Sequence, residues 1–181
     1  IAGGRIISGG NFHGQALSFA FDFAAIALTA LGNMSERRIF QLISGQAPGL
    51  SPFLARDPGL ESGWMIAQVA AAALASENKT LAHPASADSI PTSANKEDFV
   101  SMGMGAALKL KRVVSNVAQI VAIELLCAAQ GVEVHAPLKP GRKVGRGLEL
   151  LRRKAPAAQG DEILGPRMEA MRELILRGYF S

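Results

Sequence analysis

Three stretches of this chain are apolar around nearly their whole helical circumference, and that limits the folds open to it. Residues 16–31 carry Asp22 as their only charge. Residues 64–75 carry Gln68 as their only polar side chain, and residues 117–129 carry only Gln119 and Glu124. A helix in contact with water needs a polar face; one that is apolar all round must be buried on every side. None of the three reaches the roughly 18–20 uninterrupted apolar residues of a membrane span, and each holds an interior polar group that is costly in lipid. In 181 residues, few other elements remain to cover three such helices. The pattern predicts that other chain segments, or other subunits, complete the packing.

Composition agrees with an all-α chain. Hydrophobic residues make up 49% and charged ones 19%, which is too apolar for a disordered chain, and aromatics reach only 6%. Alanine-rich helix packing follows more readily than an aromatic β-sandwich. Length and the absence of a low-complexity linker predict one domain over residues 1–181, with a core over 1–135 and a basic connector plus C-terminal helix over 136–181. Helices are expected at about 14–43, 62–78, 97–131 (bending near Gly103 and Gly105), 143–154 and 161–177. Between them lie connectors marked by Pro48, Pro52 and Pro58, and by Pro84 and Pro91.

Several function classes drop out early. Cys127 is the only cysteine, so neither a disulfide framework nor a multi-thiolate zinc site is available. His13, His83 and His135 are too scattered for a short metal motif, and no metal is expected. The net charge of +4 is concentrated between Lys139 and Lys154, where seven basic residues and Glu149 give +6. No aromatic side chain interleaves that run, so it lacks a stacking platform and is read as a solvated connector rather than a nucleic-acid site. The chain opens Ile1-Ala2-Gly3-Gly4 without an initiator Met or a signal-peptide pattern. An incomplete, cytoplasmic protein is the expectation.

Three stretches depart from ordinary helix grammar. Ser8-Gly9-Gly10-Asn11-Phe12-His13-Gly14 leads straight into an apolar helix. Asn11 suits its cap, while Phe12 and His13 sit at its entrance, either as ligand contacts or as a stapled turn. Residues 76–98 are dense in short hydroxyl, amide and carboxylate side chains, which fits either a surface loop or a hydrogen-bonded site. Glu97 and Asp98 are expected to open the third helix. There they either complement its dipole or, for Glu97 with Lys96 beside it, engage a substrate group. Residues 50–68 read locally as a Pro/Gly connector entering a helix.

Taken in order, these motifs resemble the C-terminal half of the histidine ammonia-lyase family and its aromatic amino-acid lyase relatives. The resemblance runs from Ser8 to Gly131 through Ser8-Gly9-Gly10-Asn11-Phe12-His13, Ser35-Glu36-Arg37-Arg38 and Ser62-Gly63-Trp64-Met65-Ile66-Ala67-Gln68. It continues through Ser76-Glu77-Asn78-Lys79 and Asp88-Ser89-Ile90-Pro91-Thr92-Ser93-Ala94-Asn95, followed by Glu97 and Asp98. It implies long, nearly parallel helices in a homotetramer whose active sites are built from several subunits. The implied chemistry is loss of ammonia from an aromatic or imidazole L-amino acid, foremost histidine to urocanate, with no membrane or nucleic-acid partner. An autocatalytic methylidene-imidazolone is the electrophile, a Tyr removes the β-proton and an Arg holds the carboxylate. By position, Glu97 matches a catalytic acidic residue that contacts substrate, and Phe12, Asn11, His13 and Lys96 match substrate-binding positions. The departures are specific. No Ala-Ser-Gly, the precursor of the imidazolone, occurs in the chain. The catalytic Tyr and Arg belong to a part of the family that precedes this one. Lys96 stands for a Gln, Phe99 for a His, Trp64 for a Phe and Ser51 for a Pro. The alternatives to a lyase part are a non-catalytic helical assembly module and a lyase relative that works without the imidazolone.

Overall fold

The computed structural model describes residues 3–6, 9 and 12–180. Five α-helices follow one another: α1 (Gln15–Ile43), α2 (Met65–Leu81), α3 (Gly103–Val134), α4 (Arg142–Arg152) and α5 (Gly165–Leu176). Two short 3₁₀ turns, Pro52–Leu54 and Ser93–Asn95, interrupt the long connectors. Among the described residues there is no β-strand, only isolated bridges, so the all-α expectation is met.

α3 is the central post, with α1, α2, α4 and α5 packed against it. Ile120, Ile123 and Leu126 of α3 are fully buried against Ile39 of α1, Ala71 of α2 and Met171 of α5. Ala67, Ala71 and Ala75 lie four residues apart on one face of α2, and their small side chains let its backbone approach the post closely. The apolar stretch 117–129 therefore finds its cover within the chain. That of α1 does not: Phe19, Phe23, Ile26 and Met34 run along its outer face, with Phe23 78% exposed. By length and composition α1 and α3 suffice to cross a membrane, with mean hydropathies of 1.5 and 1.6 over their most apolar stretches. In the fold they are bundle helices whose buried Asp22, Glu36 and Asn116 all hydrogen-bond to other parts of the chain.

One sequence expectation needs correction. The third helix starts at Gly103, not at Glu97. Thr92 and Glu97 exchange backbone hydrogen bonds at 2.9 and 3.3 Å, which commits Glu97 to a tight loop. Met102 then turns the chain with φ 54° before the helix can begin. Gly103 and Gly105 consequently sit in the first turn of α3 rather than at a mid-helix bend. The helix expected at 143–154 is present as α4, so the basic run is an ordered element docked on the bundle. α4 buries Leu151, and Leu148 packs on the core. Arg152 holds Glu133 of α3 with two hydrogen bonds of 2.6 and 2.7 Å. Gly145 and Gly147 lower helix propensity by about 1 kcal/mol each, an amount that burying two leucines, at about 1.5–3 kcal/mol each, offsets.

Candidate functional site

A cleft of about 740 Å³ opens at the N-terminal end of α1. One wall comes from Phe12, His13, Gly14, Gln15 and Leu17, the other from Lys96, Glu97, Asp98 and Phe99. Stretches far apart in sequence, His13 and Phe99 by 86 residues, thus meet at one place. Of the site residues expected from sequence, Phe12, His13, Lys96 and Glu97 all line it; Asn11 lies outside the described residues. The cap position of α1 is Gly14, with φ 74° and no side-chain cap. Glycine suits this corner because the left-handed conformation carries no Cβ penalty.

The two walls are fastened by His13. Its Nε2 lies 2.6 Å from the carbonyl oxygen of Phe99, and its ring stacks on the Phe99 ring at 5.4 Å and 4°. A carbonyl only accepts, so Nε2 carries the proton in this contact. Below that, Ser93, Ala94 and Asn95 run through the left-handed region with φ 53°, 53° and 65°. Non-glycine residues pay about 1–2 kcal/mol each for that conformation, and it survives only where the surroundings fix it. Here the Thr92–Glu97 pairing closes the turn. Lys96 and Glu97 follow it immediately, exposed, and neither side chain makes a hydrogen bond or ion pair. Phe12 is 85% exposed. The cleft therefore presents an apolar ring, a free ammonium and a free carboxylate.

Behind the cleft, the polar segment 83–102 is tied to the helices at its start and cross-linked within itself. The backbone N–H of Ser86 donates to Asp22 Oδ2 at 2.7 Å, that of Val100 donates to Ser89 Oγ at 2.9 Å, and the Lys109 ammonium donates to the His83 carbonyl. Burial pushes the Asp22 carboxyl upward, but hydrogen bonding from Ser86 and the Lys109 charge outweigh it, leaving the pKa below its ordinary 3.8.

The remaining motifs build clamps between helices. Ser35 and Arg38 of α1 both donate to Glu124 of α3. Gln68 of α2 donates to the buried Glu36 at 2.8 Å. The Arg37 guanidinium grips Glu36 from the other side and, ahead of burial, holds its carboxyl below 4.5. Glu77 and Asn78 of α2 meet Arg112 and Asn116 of α3. Asp161 accepts the N–H groups of Ser62 and Gly63 at 2.9 and 2.8 Å, just before α2 begins. These residues join the helices to one another and do not line the cleft. Gln15 and Phe99, by contrast, line the cleft but escaped the sequence reading as site residues. Gln15 reads as an ordinary polar helix start, and nothing local marks Phe99 as the partner of His13. Among the described residues no group of metal-ligating side chains comes together.

The sequence matches the model of the aromatic amino acid lyase family over residues 1–153. It is 51% identical over 178 residues to the histidine ammonia-lyase of Rhodospirillum rubrum, covering 98% of this chain and 35% of that protein. The fold superposes on the crystal structure of histidine ammonia-lyase from Trypanosoma cruzi with a TM-score of 0.92 and 44% identity, over 98% of this chain and 35% of the other. It also superposes on tyrosine aminomutase from Streptomyces globisporus with a TM-score of 0.91 and 39% identity, over 99% and 35%. The chain thus spans 35% of the length of these relatives.

Proposed function

The chain belongs to the aromatic amino acid lyase family, and on that premise we propose that it supplies one wall of an ammonia-lyase active site. The reaction is elimination: the Cα–N bond and one Cβ–H bond of an L-amino acid break, giving an α,β-unsaturated acid and ammonia. Histidine, yielding urocanate, is the substrate we favour. The observation that carries this reading is the convergence of Phe12, His13, Lys96 and Glu97 on a single cleft.

Each side chain has a role suited to its chemistry. Glu97, an acceptor, takes the N–H of the imidazole ring. The exposed Phe12 ring packs on the substrate ring, and Lys96 pairs with its carboxylate. His13, with Nε2 committed to Phe99, holds the two walls at a fixed separation. The family's methylidene-imidazolone supplies the electrophile when present, but this chain contains no Ala-Ser-Gly from which it forms. Its one tyrosine, Tyr179, lies beyond α5, away from the cleft lining. Electrophile and base therefore come from outside these 181 residues. We place them on a complementary N-terminal polypeptide and on neighbouring copies in a homotetramer, a reading supported by the bare apolar face of α1. The missing precursor equally suits a second reading, a helical assembly module that performs no chemistry.

Activity separates the two. The chain alone, incubated with histidine, phenylalanine and tyrosine, is expected to form no urocanate, cinnamate or coumarate above background. Combined with the polypeptide carrying the Ala-Ser-Gly, it is expected to form urocanate, followed by its absorbance. Product from the chain alone would overturn the division of labour. No product from the combination would favour the assembly module.

A further inference from the structure

Gln15 is the first residue of α1 and lines the same cleft as Phe12, His13, Lys96 and Glu97. Both polar atoms of its side chain, Oε1 and Nε2, are buried, and neither makes a hydrogen bond. Folded proteins pair nearly all such groups, because an unpaired buried amide is destabilising. His13 Nε2 is taken by Phe99, and Ser18 Oγ, one turn further along α1, is likewise buried without a hydrogen bond. For folding alone, a methionine of similar shape serves this position better. With no hydrogen bond to hold the carboxamide, turning it into the cleft breaks none.

We propose that Gln15 binds substrate and sets specificity for an imidazole ring, its Nε2–H donating to the ring nitrogen that Glu97 does not engage. A neutral imidazole has one N–H donor and one bare acceptor nitrogen. Glu97 is acceptor-only and satisfies the first; the second needs a donor, which the amide provides without introducing a charge. A phenyl ring has neither group. A site built to hydrogen-bond a polar ring rejects its apolar analogue strongly, because the site's own groups are then left unpaired. This inference rests on the lyase reading above for the identity of the ring.

The test measures binding and turnover separately in the assembly proposed above. Imidazolepropionate and phenylpropionate, which lack the reacting amine, are titrated calorimetrically into wild type, Gln15→Met and Gln15→Glu. Both variants are expected to bind imidazolepropionate at least tenfold more weakly and phenylpropionate unchanged. Gln15→Met should melt no lower than wild type. Failure of wild type to bind imidazolepropionate, unchanged binding in Gln15→Glu, or equal losses for both ligands would overturn the assignment. Histidine turnover is followed in parallel. Wild type that binds as expected but releases no ammonia sinks the lyase reading and leaves Gln15 as an imidazole contact. Active wild type with indifferent variants does the reverse.

Discussion

At the scale of single residues, Glu97 shows how placement changes an argument. In the first turn of a helix its charge would stabilise the fold through the dipole. In the loop closed by Thr92 it is exposed and its carboxylate holds no partner, so folding has little stake in it. Glu97→Gln is therefore expected to leave the melting temperature of the assembled enzyme unchanged. Its kcat/KM on histidine should fall roughly tenfold to a hundredfold, the equivalent of a charge-assisted hydrogen bond of about 1.5–3 kcal/mol. The loss on phenylalanine should be smaller, since its ring has no N–H to lose. Asp98→Asn, on the neighbouring residue, is expected to change neither. Equal losses on both substrates would remove Glu97 from the ring contact. Much of this site was legible in the sequence because Phe12, His13, Lys96 and Glu97 sit in dense polar or glycine-rich motifs outside the apolar periodicity. Gln15 was not legible: its significance lies in what its amide fails to touch, which only packing reveals.

At the scale of elements, three carboxylates join α1 to its neighbours or α2 to α3, and all have depressed pKa values. Asp22 ties α1 to Ser86, Glu36 ties α1 to Gln68 of α2, and Glu77 ties α2 to Arg112 and Asn116 of α3. For Glu77 the Arg112 hydrogen bond is the main cause, followed by Asn116. A carboxyl whose pKa is lower folded than unfolded binds fewer protons when folded, so it contributes stability above its unfolded pKa. That contribution is lost as pH falls through the folded value. Unfolding midpoints in urea should therefore hold steady above the ordinary carboxylate values of 3.8 and 4.5 and decline on acidification below them. Asp22→Asn should flatten part of that decline; an unchanged slope would take Asp22 out of the linkage. Glu36→Ala, which strips the acceptor from Gln68, is expected to cost about 1–3 kcal/mol. Long apolar stretches bounded by proline-marked connectors located α1 and α2 well. The acidic pair Glu97–Asp98 misplaced the start of α3, since the Thr92–Glu97 pairing and the left-handed Met102 are backbone events that no side-chain pattern announces.

At the scale of the whole molecule, the apolar excess in the sequence divides into a part the fold resolves and a part it leaves open. The 117–129 stretch of α3 is covered by its neighbours, and α4 and α5 complete that cover through Leu151 and Met171. On α1, Phe19, Phe23, Ile26 and Met34 remain on the outer face, and Ile66 and Val69 of α2 are likewise exposed. Burying one such side chain is worth up to roughly 1.5–3 kcal/mol, so covering all six together offers an amount of the same order as the roughly 4–15 kcal/mol that association costs. The chain is therefore expected to sediment as an oligomer, or to pair stoichiometrically with a complementary polypeptide, at low micromolar concentration. Phe23→Glu together with Phe19→Glu tests whether this face is responsible. Both side chains are more than half exposed, at 78% and 53%, so helical content by circular dichroism should persist while the sedimenting species shifts toward monomer. If wild type is already a monodisperse monomer, or the double variant keeps the wild-type size, the outer face of α1 is not where association occurs.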